Sequence, residues 1–311
     1  MPHPFFGAKD VCYIFRKRWP NKNLFLGRPA CRVSIVYLGP ILTSEMWSFR
    51  AAKPALPLGT LGPFRAAQLK HAVLPATFLW FVHFLFTSIA AGCRSTAERP
   101  HLMGHFLASF VSFVALSGLG LYSWFVVRPD DTLGGFSWAS EYLTTLMVSF
   151  QSYEVLACLL DRALAGPGGQ MLVHHVLTLA LCVASVCYQF VGGFTPFFIG
   201  MSEISSIALA FVDVFKFFPK LRESFPATNQ LMRNVFAVLF ISIRVFYWPV
   251  VAFFFWRASL LELSAPEPLR YPLWLYWLFL LSNAFLTLMQ LYWGSLIFKA
   301  LAKMLKGGKD S

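Results

Sequence analysis

The sequence predicts an all-α polytopic membrane protein with about seven transmembrane helices. Composition is the first reason: 57% of the 311 residues are hydrophobic and only 13% are charged, whereas soluble domains carry about 25% charged residues. The second reason is that the apolar residues come in blocks of roughly twenty, the length of helix that crosses a bilayer core of about 30 Å. These blocks do not alternate between apolar and polar residues, so they do not fit transmembrane β-strands.

Clusters of polar, charged, Gly and Pro residues divide the apolar part of the chain into seven candidate spans. The short segment VGG between the fourth and fifth spans predicts a tight antiparallel hairpin whose residues are spatial neighbours. We predict one membrane domain at residues 72–306. A short polar tail follows it at 307–311. The predicted spans are 72–92, 104–127, 141–160, 171–191, 195–218, 235–256 and 273–298.

The first 71 residues differ from the rest of the chain. They contain eleven Lys and Arg residues and several prolines, but only two acidic residues, Asp10 and Glu45. This composition predicts a basic, poorly ordered N-terminal tail rather than a compact domain. We assign the net charge of +12 to membrane orientation and lipid headgroups rather than to nucleic acid.

Basic residues near the spans also predict the orientation of the chain. They are more numerous on the face that holds the C terminus, so the C terminus is predicted to be cytosolic. Six cysteines are present, and no two of them form a CxxC pair. We interpret them as buried structural thiols and expect no metal ion and no bound cofactor.

Several polar side chains lie inside the predicted spans, where a charge costs at least ~2.5 kcal/mol unless it faces the interior of the helix bundle. The adjacent His174 and His175 are the most informative of them. Neighbouring helical residues point about 100° apart, so at least one of the two rings can face the interior. A neutral imidazole can take or give a proton near pH 7, or act as a nucleophile.

Two further residues are predicted to lie beside the histidine pair. Thr178 follows His174 by four residues and His175 by three, so its hydroxyl is expected near both rings. Glu203 lies across the predicted hairpin and is the expected carboxylate that orients the histidines. The alternative is that the pair only joins two helices through a polar contact.

Arg244 lies in the middle of the sixth span and does not readily lose its charge. It therefore needs an acidic partner or an anionic ligand. Glu203 and Glu154 both qualify as the partner, and the sequence does not choose between them. Joint metal binding by adjacent helical histidines is disfavoured, because such neighbours point in different directions and no HExxH pattern is present.

The strings MLVHHVLTLAL and FFIGMSEISSIALAFVDVFK resemble the TLC-domain membrane proteins, a family named for its TRAM, longevity-assurance and CLN members. The resemblance covers roughly residues 72–306. It implies a barrel of six helices around a lipid-accessible cavity, with one extra helix before them. The residues that carry it are His174, His175 and Thr178, then Ser202, Glu203, Ser205 and Ser206.

The family includes the ceramide synthases, in which paired histidines help to transfer a fatty acyl group from acyl-CoA to a sphingoid base. The resemblance implies a catalytic role for His174, His175 and Glu203. Where ceramide synthases have two aspartates, this chain has the single carboxylate Glu203, which brings it nearer to the lipid-homeostasis branch of the family. Supporting or substrate-binding roles are implied for Thr178, Ser202, Ser206, Arg244 and Glu154.

The predicted function is therefore membrane lipid homeostasis, through the handling of acyl chains or sphingolipids at an intramembrane His-His site. One alternative is an acyl-CoA-dependent N-acyltransferase of the ceramide-synthase type, and another is a channel or transporter. The expected partners are membrane lipids, with a sphingoid base and acyl-CoA as substrates if the protein is an enzyme. The family implies the endoplasmic reticulum, while catalysis and oligomeric state stay open.

Overall fold

Seven apolar helices long enough to cross a membrane follow one another in the computed structural model, which describes residues 66–307. A short helix, Pro219–Ser224, joins the fifth to the sixth. The predicted all-α, seven-span class is confirmed. We name the spans α1 (Gln68–Ala91), α2 (Pro100–Phe125), α3 (Trp138–Leu160), α4 (Gln170–Tyr188), α5 (Pro196–Phe217), α6 (Pro226–Leu263) and α7 (Leu273–Ala302).

Six of the seven membrane-spanning stretches begin and end within about four residues of the predicted spans, although the helix that contains α7 continues to Gly307. The exception is α6, which begins at Pro226 and ends at Leu263, beyond both predicted ends. Its first residues, PATNQLMRN, are polar, so an apolar pattern does not include them, although Pro is well suited to a first helical turn. Residues 1–65 and 308–311 of the two predicted tails lie outside the described residues.

Six helices form a closed ring, and α1 lies outside it. Around the ring, α2 packs on α3, α3 on α4, α4 on α7, α7 on α6, and α6 on α5, which returns to α2. The outer helix α1 packs against α2 and α3. The predicted barrel of six helices with one extra helix is therefore confirmed.

The prediction that α4 and α5 form a tight hairpin is wrong. The main neighbours of α4 are α3 and α7, whereas those of α5 are α2 and α6. The connecting segment 189–195 turns sharply, with positive φ at Gln189 and Val191, and the Val191 N–H donates to the Leu133 carbonyl at 2.6 Å. Because this segment is tied to the α2–α3 loop, α4 and α5 stand on opposite walls of the ring.

Both α5 and α6 contain an irregular helical segment. Helix α5 starts with a π-helical turn at Pro196–Gly200 and a 3₁₀ turn at Met201–Glu203. Helix α6 becomes π-helical at Ile241–Tyr247, between two α-helical halves. Such segments redirect side chains and often occur at functional sites. Here they carry Glu203 and Arg244.

The ring is closed on the face opposite the C-terminal end of α7. Loops 126–137, 189–195 and 264–272 form this closure, which we call the loop cap. Arg270 bridges Asp131 at 2.5 Å and Glu262 at 2.6 Å, and the Tyr271 hydroxyl donates to the Gln189 carbonyl at 3.1 Å. The cap therefore joins three loops through charged and backbone hydrogen bonds.

Candidate functional site

Two cavities lie inside the ring. The wide cavity has a volume of about 420 Å³ and extends towards the face that holds the C-terminal end of α7. Polar and charged side chains on its wall include His105, Ser109, Glu154, His175, Asp213 and Lys216. The narrow cavity has a volume of about 80 Å³ and extends towards the loop cap. Its wall is mainly apolar and includes Leu181, Cys182, Phe198, Ile199, Phe255 and Leu286.

The two cavities share four polar residues, Gln151, His174, Glu203 and Arg244. We call this set the polar junction. It brings together side chains from α3, α4, α5 and α6. A molecule that reaches from one cavity into the other must therefore pass these four residues.

Arg244 is the buried cation of the junction, with 7% of its surface exposed. Its Nη2 atom lies 3.2 Å from Glu203 Oε1, so Glu203, and not Glu154, is its acidic partner. The π-helical segment of α6 positions the guanidinium among the irregular first turns of α5. Its other donors reach the Ser202 carbonyl and the side-chain oxygens of Ser205, Ser206 and Gln290.

His175 is fixed by two residues of α3. Its Nδ1 lies 2.7 Å from Gln151 Oε1, and an amide oxygen only accepts, so Nδ1 carries the proton and Nε2 the lone pair. Nε2 in turn lies 3.7 Å from Glu154 Oε2. Glu154 is therefore the carboxylate beside His175, and the predicted pairing of Glu203 with the histidines is corrected, because Glu203 is held by Arg244.

His174 faces the polar junction. Its ring packs edge-on against His175 and Trp293, with ring centres 5.4 Å and 5.8 Å away. Its Nδ1 is buried and has no hydrogen-bond partner within the described part of the chain. The ring is thus placed to meet a polar group that occupies the junction.

The Thr178 hydroxyl bonds to the backbone of its own helix. Its Oγ1 donates to the His174 carbonyl at 2.8 Å, which is the bond that helical Thr residues make with the preceding turn. The residue lines the narrow cavity. Ser206 lines the wide cavity, whereas Ser202 lines neither of the two and contributes its carbonyl to Arg244.

Sequence reasoning missed several polar residues of the site. Ser109 donates to Glu154 Oε1 at 2.6 Å, and His105 Nε2 lies 3.7 Å from Glu154 Oε2. On α3, Gln151, Glu154 and Cys158 follow one another at spacings of three and four residues. That spacing places them on one helical face and was a signal available in the sequence.

Residues 101–299, more than half of the chain, match the family of the TLC domain. The chain belongs to the TLC-domain family. The match begins at the start of α2 and ends in α7, so it covers the six-helix ring and leaves out α1. No curated protein and no solved structure matches the chain. A TLC domain in a multi-pass membrane protein supports a role related to membrane lipids.

Proposed function

We propose that this TLC-domain protein serves membrane lipid homeostasis by binding an acyl chain or sphingolipid, with the lipid's polar group at the polar junction. The observation that carries the proposal is that His174, Arg244 and the other two junction residues line both the mainly apolar narrow cavity and the wide cavity, where charged side chains lie among apolar ones. A lipid has the same division into an apolar chain and a polar end. The apolar chain fits the narrow cavity, and the headgroup fits the wide one.

The charges of the junction favour a lipid polar group that carries little net charge there. Glu203 lies 3.2 Å from Arg244 and neutralises its charge. The pair therefore offers hydrogen-bonding groups without a large excess of positive or negative charge. An amide, ester or hydroxyl can hydrogen-bond to the His174 ring, which lines both cavities. Asp213, on the wall of the wide cavity, is an anionic partner for the amine of a sphingoid base. The single carboxylate Glu203, where ceramide synthases have two aspartates, supports placing the protein nearer to the lipid-homeostasis branch of the family.

For the cellular setting we propose the endoplasmic reticulum, with the C terminus in the cytosol. The excess of Lys and Arg on the C-terminal face supports this orientation. The wide cavity extends towards the same face. A polar headgroup or a soluble co-substrate would then reach the junction from the cytosol.

The test is a comparison of two leucine variants on α7. Leu286 lines the narrow cavity and is 8% exposed, whereas Leu288 is 66% exposed and faces outwards. Leu286→Phe fills the narrow cavity, and Leu288→Phe adds the same volume on the outside. Each protein is purified in mild detergent, and the lipid that remains bound is measured by mass spectrometry.

We expect the wild-type protein and Leu288→Phe to retain the same acyl lipid, and Leu286→Phe to retain at least several-fold less. Size-exclusion chromatography shows whether Leu286→Phe is folded. Equal lipid retention by the two variants would contradict binding in the narrow cavity.

A second function, acyl-CoA-dependent N-acyl transfer, is favoured by one observation. His174 lines both cavities, and an imidazole within reach of a bound substrate can act as a base or nucleophile. The test is incubation of the purified protein with acyl-CoA and a sphingoid base. Amide product that disappears in His174→Ala supports the enzyme, whereas retained lipid without product supports binding alone.

A further inference from the structure

Three ligand-type side chains meet beside the wide cavity. The carboxylate of Glu154, the thiol of Cys158 and the imidazole of His175 are buried, and their ligand atoms lie within 4.8 Å of one another. We propose that they bind a Zn²⁺ ion at this point, and that His105, which lies 3.7 Å from Glu154 Oε2 but outside this group of three, shifts towards the ion as the fourth ligand. The site replaces the expectation of no metal, and it does not depend on the proposed lipid function.

The distances in the cluster suit a shared ion better than direct hydrogen bonds. Glu154 Oε2 lies 3.7 Å from Nε2 of His175 and 3.7 Å from Nε2 of His105. Hydrogen bonds of this kind are about 2.7–3.2 Å long. Ligand atoms about 2.0–2.3 Å from a tetrahedral zinc ion are roughly 3.3–3.8 Å apart. The Nε2 atoms of both histidines thus lie as far from this carboxylate oxygen as two ligand atoms of one zinc ion lie from each other.

The hydrogen bond between His175 and Gln151 leaves the other ring nitrogen free to bind a cation beside Glu154. Because His175 Nδ1 donates to Gln151, the lone pair on Nε2 points towards the Glu154 carboxylate. When Glu154 is ionised, two electron-rich groups face each other in a buried site, where Glu154 is 4% exposed. Among the described residues, no Lys or Arg lies within ion-pair distance of Glu154. A bound cation would neutralise the carboxylate and accept both lone pairs.

The neighbouring residues orient the proposed ligands. Gln151 accepts a hydrogen bond from His175, and Ser109 donates one to the carboxylate oxygen of Glu154 that is turned away from the histidines. His105 Nδ1 lies 3.2 Å from the Tyr153 hydroxyl. Metal-binding histidines usually bond through their second nitrogen to such a group, which fixes the ring orientation.

The chemical types of the proposed ligand atoms favour Zn²⁺ over Mg²⁺ and Ca²⁺. A sulfur, two imidazole nitrogens and one carboxylate oxygen are a set that Zn²⁺ binds tetrahedrally. Mg²⁺ and Ca²⁺ prefer oxygen ligands alone. On binding, the Cys158 thiol loses its proton and the sulfur coordinates the ion as a thiolate.

The test uses Co²⁺ as a spectroscopic substitute for Zn²⁺. The full-length protein is purified in detergent, stripped with a chelator and titrated with Co²⁺. We expect about one equivalent to bind with tetrahedral absorption bands and a sulfur-to-cobalt charge-transfer band. Zn²⁺ should displace the Co²⁺ and remove both signals. A wild-type spectrum without the sulfur band would overturn the proposal, whatever the behaviour of any variant.

Two cysteine variants provide the matched comparison. Cys158 and Cys187 are 2% and 3% exposed, but Cys187 lies outside the cluster at the end of α4. We expect Cys158→Ser to lose the sulfur band and Cys187→Ser to keep it, while a band that survives in Cys158→Ser would place the ion elsewhere and refute the site. Leu286→Phe should still bind Co²⁺, so loss of lipid and loss of metal are distinguishable.

Discussion

Arg244 and Glu203 form a buried ion pair that depends on irregular backbone in two helices. The guanidinium lies in the π-helical segment Ile241–Tyr247, and Glu203 ends the 3₁₀ turn Met201–Glu203. Serine hydroxyls and a backbone carbonyl complete the hydrogen bonds of the arginine. A pair held by so many partners fixes the shape of the polar junction.

Removing the arginine should destabilise the protein strongly. Arg244→Ala leaves Glu203 without its cationic partner, and breaking a buried pair in this way costs about 3–5 kcal/mol. Glu203→Gln added to this variant should recover part of the loss. The measurement is thermal or denaturant unfolding in detergent, with exposed Arg233→Ala on the same helix as the control. Similar stabilities for the Arg233 and Arg244 variants would contradict the buried pair.

The residues of the site were predictable in part. The cost of charge in a membrane singled out Glu154, Glu203 and Arg244 from the sequence alone. Their partners were not predictable, because pairing depends on which helices are neighbours in the ring. Glu203 meets Arg244 across the contact of α5 with α6, and His175 meets Glu154 across the contact of α4 with α3.

At the level of helices, the crossing of α2 and α5 depends on two glycines. A Cβ atom added to Gly120 would lie 2.5 Å from the Cα of Gly200. Backbone atoms cannot move aside as a flexible side chain can. This close approach holds α2 against the π-helical turn of α5 and so positions the turn that leads to Glu203.

Gly120→Ala should therefore loosen this helix crossing. Overpacking of this kind costs about 1–3 kcal/mol, which a melting curve in detergent detects. The matched control is Gly118→Ala, two residues earlier on α2, where an added Cβ meets nothing within 4 Å. That control should be neutral or slightly stabilising, because alanine favours helix. Equal losses in both variants would show that helix flexibility, and not the crossing, is responsible.

The helices themselves were largely visible in the sequence. Apolar runs of bilayer length located all seven spans, because the membrane requires that length. The π-helical turns in α5 and α6 and the polar start of α6 were not visible. A hydropathy pattern reports which segments prefer lipid, and it does not report where backbone hydrogen bonds change register.

On the scale of the whole molecule, the loop cap covers one end of the six-helix ring. Arg270 ties the α2–α3 loop to the end of α6 through Asp131 and Glu262. Burial alone would raise the pKa of Asp131, but hydrogen bonds from Arg270 and the Gly134 backbone lower it below its ordinary value of 3.8. The ionised form of Asp131 is therefore favoured in the folded protein.

Acid should weaken the cap in a manner that depends on Asp131. Because its pKa is lowered by folding, its contribution to stability is complete above 3.8 and is lost as the pH falls through the lower folded value. Asp131→Asn should melt at a lower temperature than wild type at pH 7. The difference should shrink as the pH is lowered below 3.8. A difference that stays constant over this range would show that the carboxylate charge does not hold the cap.

The six-helix ring was predicted through the family resemblance, whereas the order of contacts around it was not predicted from the residues. The short connection between α4 and α5 suggested a hairpin, since neighbours in sequence usually pack together. The chain instead places the cavities between those helices, with His174 and Thr178 on one wall and Phe198 and Glu203 on the other. Connection length alone does not show whether two helices pack together or face each other across a cavity.

The central claim is that a lipid chain lies in the narrow cavity while its polar group meets the junction. The most direct measurement is photo-crosslinking with an acyl lipid that carries a diazirine at the end of its chain, followed by peptide mass spectrometry. We predict crosslinks to the wall of the narrow cavity, at Leu181, Phe198 and Leu286, which unlabelled lipid suppresses. Crosslinks confined to outward-facing residues such as Phe285 and Leu288 would contradict the claim.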